Sequence, residues 1–419
     1  MKIEKLYKLF KQNNLIDTDT RKIRKGSLFF ALKGDNFNGN KFTKDALSKG
    51  ASFAIIEEES YSSEPNTILV ENVLTTLQQL ANYHRKQLNI PIISLTGSNG
   101  KTTTKELINA VLSKKYNTTA TVGNLNNDIG VPLTLLSMTS NTEIGIIEMG
   151  ANHLKEIESL CEIAEPNFGH ITNFGKAHLE GFGSVEGVIK AKSELYDYLR
   201  NTNGKVFLNT DDEQQVLQST GLRNIPFNNE KIQFIEANPF VKIKFNDKTI
   251  TSRLIGKYNF NNIAAAVAIG NYFNVDENEI KTAIENYCPT NNRSQILKIG
   301  TNKIILDAYN ANPSSMKAAL ENFNQLKDKN KVVFLGDMFE IGKESANEHQ
   351  YIAALATSFN FNETYLIGKA FSTINVKNAF LYDSFEAFKT SIPKINLNNT
   401  TILIKGSRGM ALERILDLF

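Results

Sequence analysis

Ile90-Pro91-Ile92-Ile93-Ser94-Leu95 runs into Thr96-Gly97-Ser98-Asn99-Gly100-Lys101-Thr102-Thr103, and that into Glu106-Leu107-Ile108-Asn109-Ala110-Val111-Leu112. The first segment is a mainly apolar run of strand length, as expected of a strand buried on both faces. The last carries apolar residues at helical spacing, so the glycine-bearing segment lies between a strand and a helix. Glycines there let backbone N–H groups close around phosphate oxygens, and the helix N-terminus adds a partial positive charge. Lys101 can reach terminal phosphates and the Thr102 hydroxyl can hold Mg²⁺. The loop is shorter than the usual G-x-x-x-x-G-K-[ST], because Gly97 lies four positions before Lys101 and residue 95 is Leu. A plain Gly-rich turn with a solvated lysine is the alternative, and the strand and helix context favours phosphate. Gly97, Ser98, Asn99, Gly100, Lys101, Thr102 and Thr103 are therefore candidate nucleotide-binding residues.

Outward from this loop, short apolar runs at residues 144–148, 169–172 and 206–209 alternate with helical stretches and continue a mostly parallel sheet to about residue 288. Strand Ile144-Gly145-Ile146-Ile147 ends in Glu148, a carboxylate at the C-terminal edge of a parallel strand, where ligands of α/β folds bind. A Mg²⁺ ligand and a helix cap both fit that position. Upstream, residues 1–88 read as a mixed unit, with strands near 27–32 and 51–56, a polar turn at 34–40 and a closing helix from Leu74 to Leu88. Beyond Arg293, strand-like runs at 303–307, 331–335, 364–367, 379–382 and 401–404 alternate with helical stretches at 314–326 and 347–358. That is Rossmann-like by topology, but no G-x-G-x-x-G follows its first strand, so no dinucleotide is inferred. The expected fold class is α/β in three domains: a mixed unit over 1–88, a central parallel phosphate-loop sheet over 89–288 and a Rossmann-like unit over 289–419.

Composition narrows the function classes. The 419 residues carry 47 Lys plus Arg against 44 Asp plus Glu, a net charge of +3, which gives no electrostatic case for nucleic acid or membrane partners. Any phosphate contact must be local. Hydrophobic residues at 41% and charged residues at 22% exclude wholesale disorder. Cys161 and Cys288 form neither a disulfide framework nor a metal spacing and suit a reducing compartment. The segment Met1 to Phe10 lacks the apolar core of a signal peptide, and no apolar run is long enough to span a bilayer, so the cytoplasm is the expected location. Asn is frequent throughout, so an isolated Asn cluster carries little weight.

A further segment reads Ala177-His178-Leu179-Glu180-Gly181-Phe182-Gly183-Ser184, followed by Lys190-Ala191-Lys192-Ser193-Glu194. A lone His178 fits a structural role as well as a ligand. Taken with the phosphate loop and Glu148, the combination resembles the Mur ligase family, ATP-dependent amide-forming enzymes that build the peptide of bacterial cell-wall precursors. The resemblance runs along the whole chain. Asp19-Thr20-Arg21 and Gly26 to Gly34 are similar to the family's N-terminal nucleotide-sugar domain, which implies that Thr20 and Arg21 bind substrate. Asn124-Leu125-Asn126-Asn127, with Asp128 to Thr134, resembles its substrate-facing loop, implying Asn124, Asn126 and Asn127. Gly256-Lys257-Tyr258-Asn259-Phe260-Asn261-Asn262 resembles the segment whose two asparagines, Asn259 and Asn262, lie near adenine; the family usually has His where this chain has Tyr258. Arg293, Asp307-Ala308-Tyr309-Asn310-Ala311-Asn312-Pro313, Gly336-Asp337-Met338 with Glu340 and His349, and Lys405 to Gly409 follow in the family's order. Two acids usually open the Tyr-Asn-Ala-Asn-Pro segment. Leu306 replaces the first, leaving Asp307 to hold the ATP ribose beside Arg293 and Tyr309.

The resemblance further implies that Thr102 and Glu148 hold one Mg²⁺ and that His178 helps hold a second. It makes Lys101, Glu148, His178 and Lys192 catalytic, with Lys192 carbamylated by CO₂, since a carbamate offers an oxygen ligand where an ammonium would repel the metal. A plain salt bridge of Lys192 with Glu194, or with a phosphate, is the alternative. The implied activity is ligation of D-alanyl-D-alanine to UDP-N-acetylmuramoyl-tripeptide through an acyl phosphate, by a monomer with a hinge near residues 288–293. Addition of the third-position diamino acid is the near alternative, but its Asn-Pro-Arg motif is missing from this chain. Folylpolyglutamate synthase shares the second and third domains but lacks the N-terminal unit. A phosphate-loop NTPase switch without ligation would give the His178 and Lys192 segment no task.

Overall fold

The computed structural model describes residues 1–419. The central sheet has six strands, all parallel, in the order 223–227, 205–209, 168–171, 92–96, 144–148, 118–120. Strand Ile92–Thr96 is buried at every position, as expected of its mainly apolar sequence, and Ser94 and Thr96 are buried with it. It pairs with Phe168–Ile171 on one side and Ile144–Glu148 on the other. The chain thus leaves this strand where the strand order reverses, opening a crevice at the sheet's C-terminal edge. Both the glycine loop and Glu148 end there.

The N-terminal unit is a four-stranded parallel sheet, ordered 16–17, 28–30, 53–56, 67–69. It has a small core of its own, Phe29, Ala31, Ala46, Ala51, Ala54 and Ile56, but its other face has none. Leu6, Phe10, Leu77 and Leu80 share one buried cluster with Val131, Ile147, Leu160 and Leu195 of the central domain, through helix Val73–Leu88. The polar turn over 34–40 is a small antiparallel hairpin, Lys33–Gly34 against Phe37–Asn38.

The mostly parallel sheet expected over 89–288 is present, with one element added to it. Residues 232–255 form a separate three-stranded antiparallel sheet. Its signal was a period of two, with Val241, Ile243 and Phe245 inward and Lys242 and Lys244 between them, and it packs into the cluster that covers the other face of the central sheet. The C-terminal sheet likewise has six strands, ordered 295–299, 302–307, 401–405, 331–336, 363–367, 380–382. Five are parallel as expected. The sixth, Gln295–Ile299, is an antiparallel edge strand that sequence reading passed over, because none of its residues is fully buried. Helices cover both faces of this sheet, giving two apolar clusters.

Candidate active site

Helix Lys101–Leu112 begins at Gly100 with φ +79° and no side chain caps its first turn. Its leading N–H groups therefore face the cleft without a side-chain acceptor, the arrangement that binds anions. Gly97 has φ +143°, and a Cβ there would fall 2.0 Å from Thr172 Oγ1. That closeness is used: Thr172 Oγ1 donates to the Asn99 carbonyl at 2.6 Å, and Asn173 Nδ2 donates to the same carbonyl at 3.0 Å. The loop is thus shaped by the end of the neighbouring strand before any ligand arrives.

Glu148 projects from its strand end beside this helix. Thr102 Oγ1 donates to Glu148 Oε1 at 3.2 Å and Asn126 Nδ2 donates to the same oxygen at 2.8 Å. The other oxygen, Glu148 Oε2, is buried without a hydrogen-bond partner, in a residue only 1% exposed. An unpartnered buried carboxylate oxygen next to a hydroxyl at a phosphate loop fits Mg²⁺, which takes one or two carboxylates together with phosphate oxygens. Three or more His, Cys, Asp or Glu side chains converge nowhere as a metal cluster.

Lys101 lies near this carboxylate, with Arg293 and Lys192 near Lys101 in turn. Lys101 Nζ donates to the Gly97 carbonyl at 2.6 Å. Burial lowers its pKa, the Glu148 carboxylate opposes that, and Arg293 adds to the lowering. Lys192 is fully buried; burial, then the charge of Lys101, push its amine well below the usual lysine range. Its Nζ donates to the Ala151 carbonyl at 3.2 Å and lies 5.0 Å from the centre of the Phe182 ring. The salt bridge with Glu194 left open by the sequence is not formed, because Glu194 accepts the backbone N–H groups of Lys155 and Glu158 at 2.7 and 3.1 Å. Lys101 and Arg293 raise one another's energy as cations, and an anion such as a polyphosphate bound beside them would relieve that.

The cleft, about 1110 Å³, is lined by the glycine loop, Asn124, Asn126, Asn127, Glu148, His178, Asn259, Asn262, Arg293, Asp307 and Tyr309. Asn262 accepts from Thr104 Oγ1 at 3.0 Å and donates to Asn259 Oδ1 at 2.8 Å, while Asn259 Nδ2 donates to the Ile255 carbonyl at 2.8 Å. The Arg293 guanidinium stacks 3.7 Å from the centre of the Tyr309 ring. Asp307 Oδ2 accepts from Lys405 Nζ at 2.7 Å, so Lys405 is a buried partner of the candidate ribose ligand rather than surface charge on a turn. His178 Nδ1 is paired with Glu340 of the third domain, leaving Nε2 as its remaining donor or ligand atom. Thr20 and Arg21 lie outside the cleft lining. Arg21 is exposed and engaged with Asp19 through Nε at 2.9 Å and Nη2 at 2.7 Å, and the Thr20 carbonyl accepts from Lys49.

Sequence reasoning assigned no role to Lys176 or Asn312. Lys176 Nζ donates to Glu348 Oε1 at 2.7 Å and Asn312 Nδ2 donates to Asn99 Oδ1 at 2.8 Å, both joining the second and third domains. Asn312 stood before a proline and three residues ahead of Ser315, the signature of the capping box it forms; its bond across the cleft had no local signal.

This fold and this cleft are those of an ATP-dependent peptide-forming ligase, and the chain belongs to the Mur ligase family: residues 14–95 match the Mur ligase family catalytic domain, 95–270 the Mur ligase middle domain, and 292–408 the Mur ligase glutamate ligase domain. Within the family it is 35% identical to the UDP-N-acetylmuramoyl-tripeptide--D-alanyl-D-alanine ligase of Bacillus subtilis (strain 168), over 96% of this chain and 92% of that protein. Among solved structures it is similar to MurF from Acinetobacter baumannii, with a TM-score of 0.87 and 29% identity over 96% of this chain and 92% of the other. It is also similar to the MurF ligase from Thermotoga maritima in complex with ADP, with a TM-score of 0.85 and 26% identity over 97% and 96%.

Proposed function

We propose that this enzyme joins D-alanyl-D-alanine to the C-terminal carboxylate of UDP-N-acetylmuramoyl-tripeptide, with ATP converted to ADP and phosphate, in peptidoglycan precursor synthesis. The observation that carries the chemistry is the unpartnered Glu148 oxygen beside Thr102, at an uncapped helix start where Lys101 and Arg293 converge. The choice of substrates is supported by the relatives along the full chain.

In this reading a substrate carboxylate attacks the γ-phosphorus, ADP leaves, and an acyl phosphate forms. The amine of the dipeptide then attacks the acyl carbon, and phosphate departs with one of the original carboxylate oxygens. No side-chain nucleophile is required. Two anions must approach each other in the first step, so the positive groups set the barrier: Lys101 and the helix N–H groups hold the β- and γ-phosphates and take up charge spreading over the equatorial oxygens. Asn259 and Asn262 border the adenine, and Asp307 the ribose. Asn124, Asn126 and Asn127 border the tripeptide end, and Thr20 and Arg21 belong to the nucleotide-sugar end of a path that continues beyond the cleft.

Thr102 and Glu148 would hold Mg²⁺, and His178 with a carbamate on Lys192 a second one, supplying charge neutralisation on the phosphates. The low amine pKa of Lys192 keeps a neutral nucleophile available for CO₂. A carbon-13 carbamate resonance after equilibration with labelled bicarbonate, lost in Lys192→Arg, tests that modification. The proposed reaction is that of a monomer acting in the cytoplasm, where its nucleotide substrates would be met. No helix is long and apolar enough to cross a membrane. The acyl-phosphate route is tested with oxygen-18 in the tripeptide carboxylate. One label must appear in the released phosphate, and unlabelled phosphate would refute the route.

A further inference from the structure

Nothing above gives Tyr258 a task. Its hydroxyl meets Ser294 Oγ at 2.9 Å, joining the start of helix Asn259–Tyr272 to the linker that leads into the third domain. The ring lines the cleft beside Asn259 and Arg293. It is accommodated by Gly256, with φ +84°, where an added Cβ would fall 2.3 Å from Tyr258 Cε1. Desolvation, then the Asp307 carboxylate, raise the phenol's pKa, so the hydroxyl keeps its proton as a hydrogen-bonding group.

The far side of this bond is an uncommon piece of backbone. Asn292 and Ser294 flank Arg293 with φ of +55° and +51°, the left-handed region, which costs a serine more than it costs an asparagine. Ser294 is buried, and its Oγ has Tyr258 as its partner. Its backbone N–H donates to Asp307 Oδ1 at 2.9 Å. Ser294 therefore carries the Tyr258 contact to the carboxylate that faces the ribose, and its neighbour Arg293 is the cation stacked on Tyr309. Upstream, the same linker is tied to the phosphate-loop helix: Glu106 accepts from the Tyr287 hydroxyl and, at 3.0 Å, from Asn291 Nδ2. The linker is pinned to both helices that present nucleotide-facing residues.

We propose that Tyr258 is a nucleotide-positioning residue, which through Ser294 holds the left-handed turn that presents Arg293 and Asp307 to the nucleoside half of ATP. It touches no reacting atom. Its effect falls on affinity for adenine nucleotide, and the peptide and dipeptide substrates, bound elsewhere in the cleft, do not feel it directly. This rests on the nucleotide reading of the cleft given above.

The test is ADP binding by calorimetry together with separate KM values for ATP, tripeptide nucleotide and dipeptide. Tyr258→Phe removes only the hydroxyl and should weaken ADP binding about 3- to 10-fold, the value of one buried hydrogen bond. KM for ATP should rise while KM for the other two substrates stays put; a general loosening of the fold would move all three. Ser294→Ala should reproduce the effect, and it carries the test if Tyr258→Phe fails to fold. The double variant should be no weaker than either single one, because both break the same contact. Tyr258→His, which retains a ring N–H near Ser294, should recover affinity. Wild-type ADP binding in Tyr258→Phe, or additive losses in the double variant, overturns the proposal. Lys101→Ala separates the two readings: if it too binds ADP like the wild type, the nucleotide assignment of the cleft fails, and if it alone loses ADP, only the role of Tyr258 fails.

Discussion

Asn312 Nδ2, at the start of a third-domain helix, donates to Asn99 Oδ1 in the phosphate loop at 2.8 Å. The same side chain caps its own helix through Oδ1, which accepts from Ser315 N at 2.9 Å, so its amide nitrogen is turned toward the loop. Lys176 with Glu348, and His178 with Glu340, cross between the same two domains nearby. The third domain is therefore seated on the loop it must complete.

Asn312→Asp retains the capping oxygen and replaces the donor by an anion facing Asn99. Thermal stability should stay close to wild type, while kcat/KM for ATP falls about tenfold or more, since closure then brings like charge toward the phosphates. Steady-state kinetics with a melting curve checks both halves.

Glu148→Gln retains shape and removes the charge at the unpartnered oxygen. Turnover should fall at least about 100-fold and the Mg²⁺ concentration for half-maximal activity should rise. A Mg²⁺ titration of the variant that overlays the wild type would remove Glu148 from the metal site.

Gly97→Ala puts a Cβ 2.0 Å from Thr172 Oγ1 at φ +143°. The loop must shift, with a loss of roughly 2 kcal/mol or more of stability and of nucleotide binding. Gly34→Ala, where an added Cβ meets nothing within 4 Å, is the contrasting case and should bind ADP normally.

His170 is buried on the strand beside the one that leads into the loop, in register with Leu95, and is bonded to the Phe207 carbonyl at 2.9 Å; burial lowers its pKa from 6.5 to about 4. The unfolded chain takes up this proton first as pH falls, so the neutral ring favours folding fully above about pH 6.5. That contribution is lost between about pH 6.5 and pH 4, by roughly 3 kcal/mol. Urea midpoints against pH should show the slope, and His170→Gln should flatten it.

The strand, loop and helix around Gly97 were legible because each signal is local: an apolar run, glycines, then helical spacing. Glu148 was legible as the end of an apolar strand, and Asn126 as part of a quoted motif, though not its bond to Glu148 Oε1. Long-range partners were not. Asn99 and Asn312, or His178 and Glu340, meet only because two sheets present their C-terminal edges to one cleft. Lys192 and Glu194 are close in sequence, yet the carboxylate turns to the N–H groups of Lys155 and Glu158, which tertiary packing brings to it. The antiparallel sheet over 232–255 did carry its period of two, but lay inside a region read as mostly parallel.

The most direct test of the central claim is competitive ligation. The protein is given ATP, Mg²⁺ and UDP-N-acetylmuramoyl-tripeptide with equal amounts of D-alanyl-D-alanine and free diamino acids, and the products are resolved by mass. The account predicts a single product carrying D-alanyl-D-alanine, with ADP and phosphate formed in step and only when both substrates are present. Incorporation of a diamino acid, or ADP release with either substrate omitted, would contradict it.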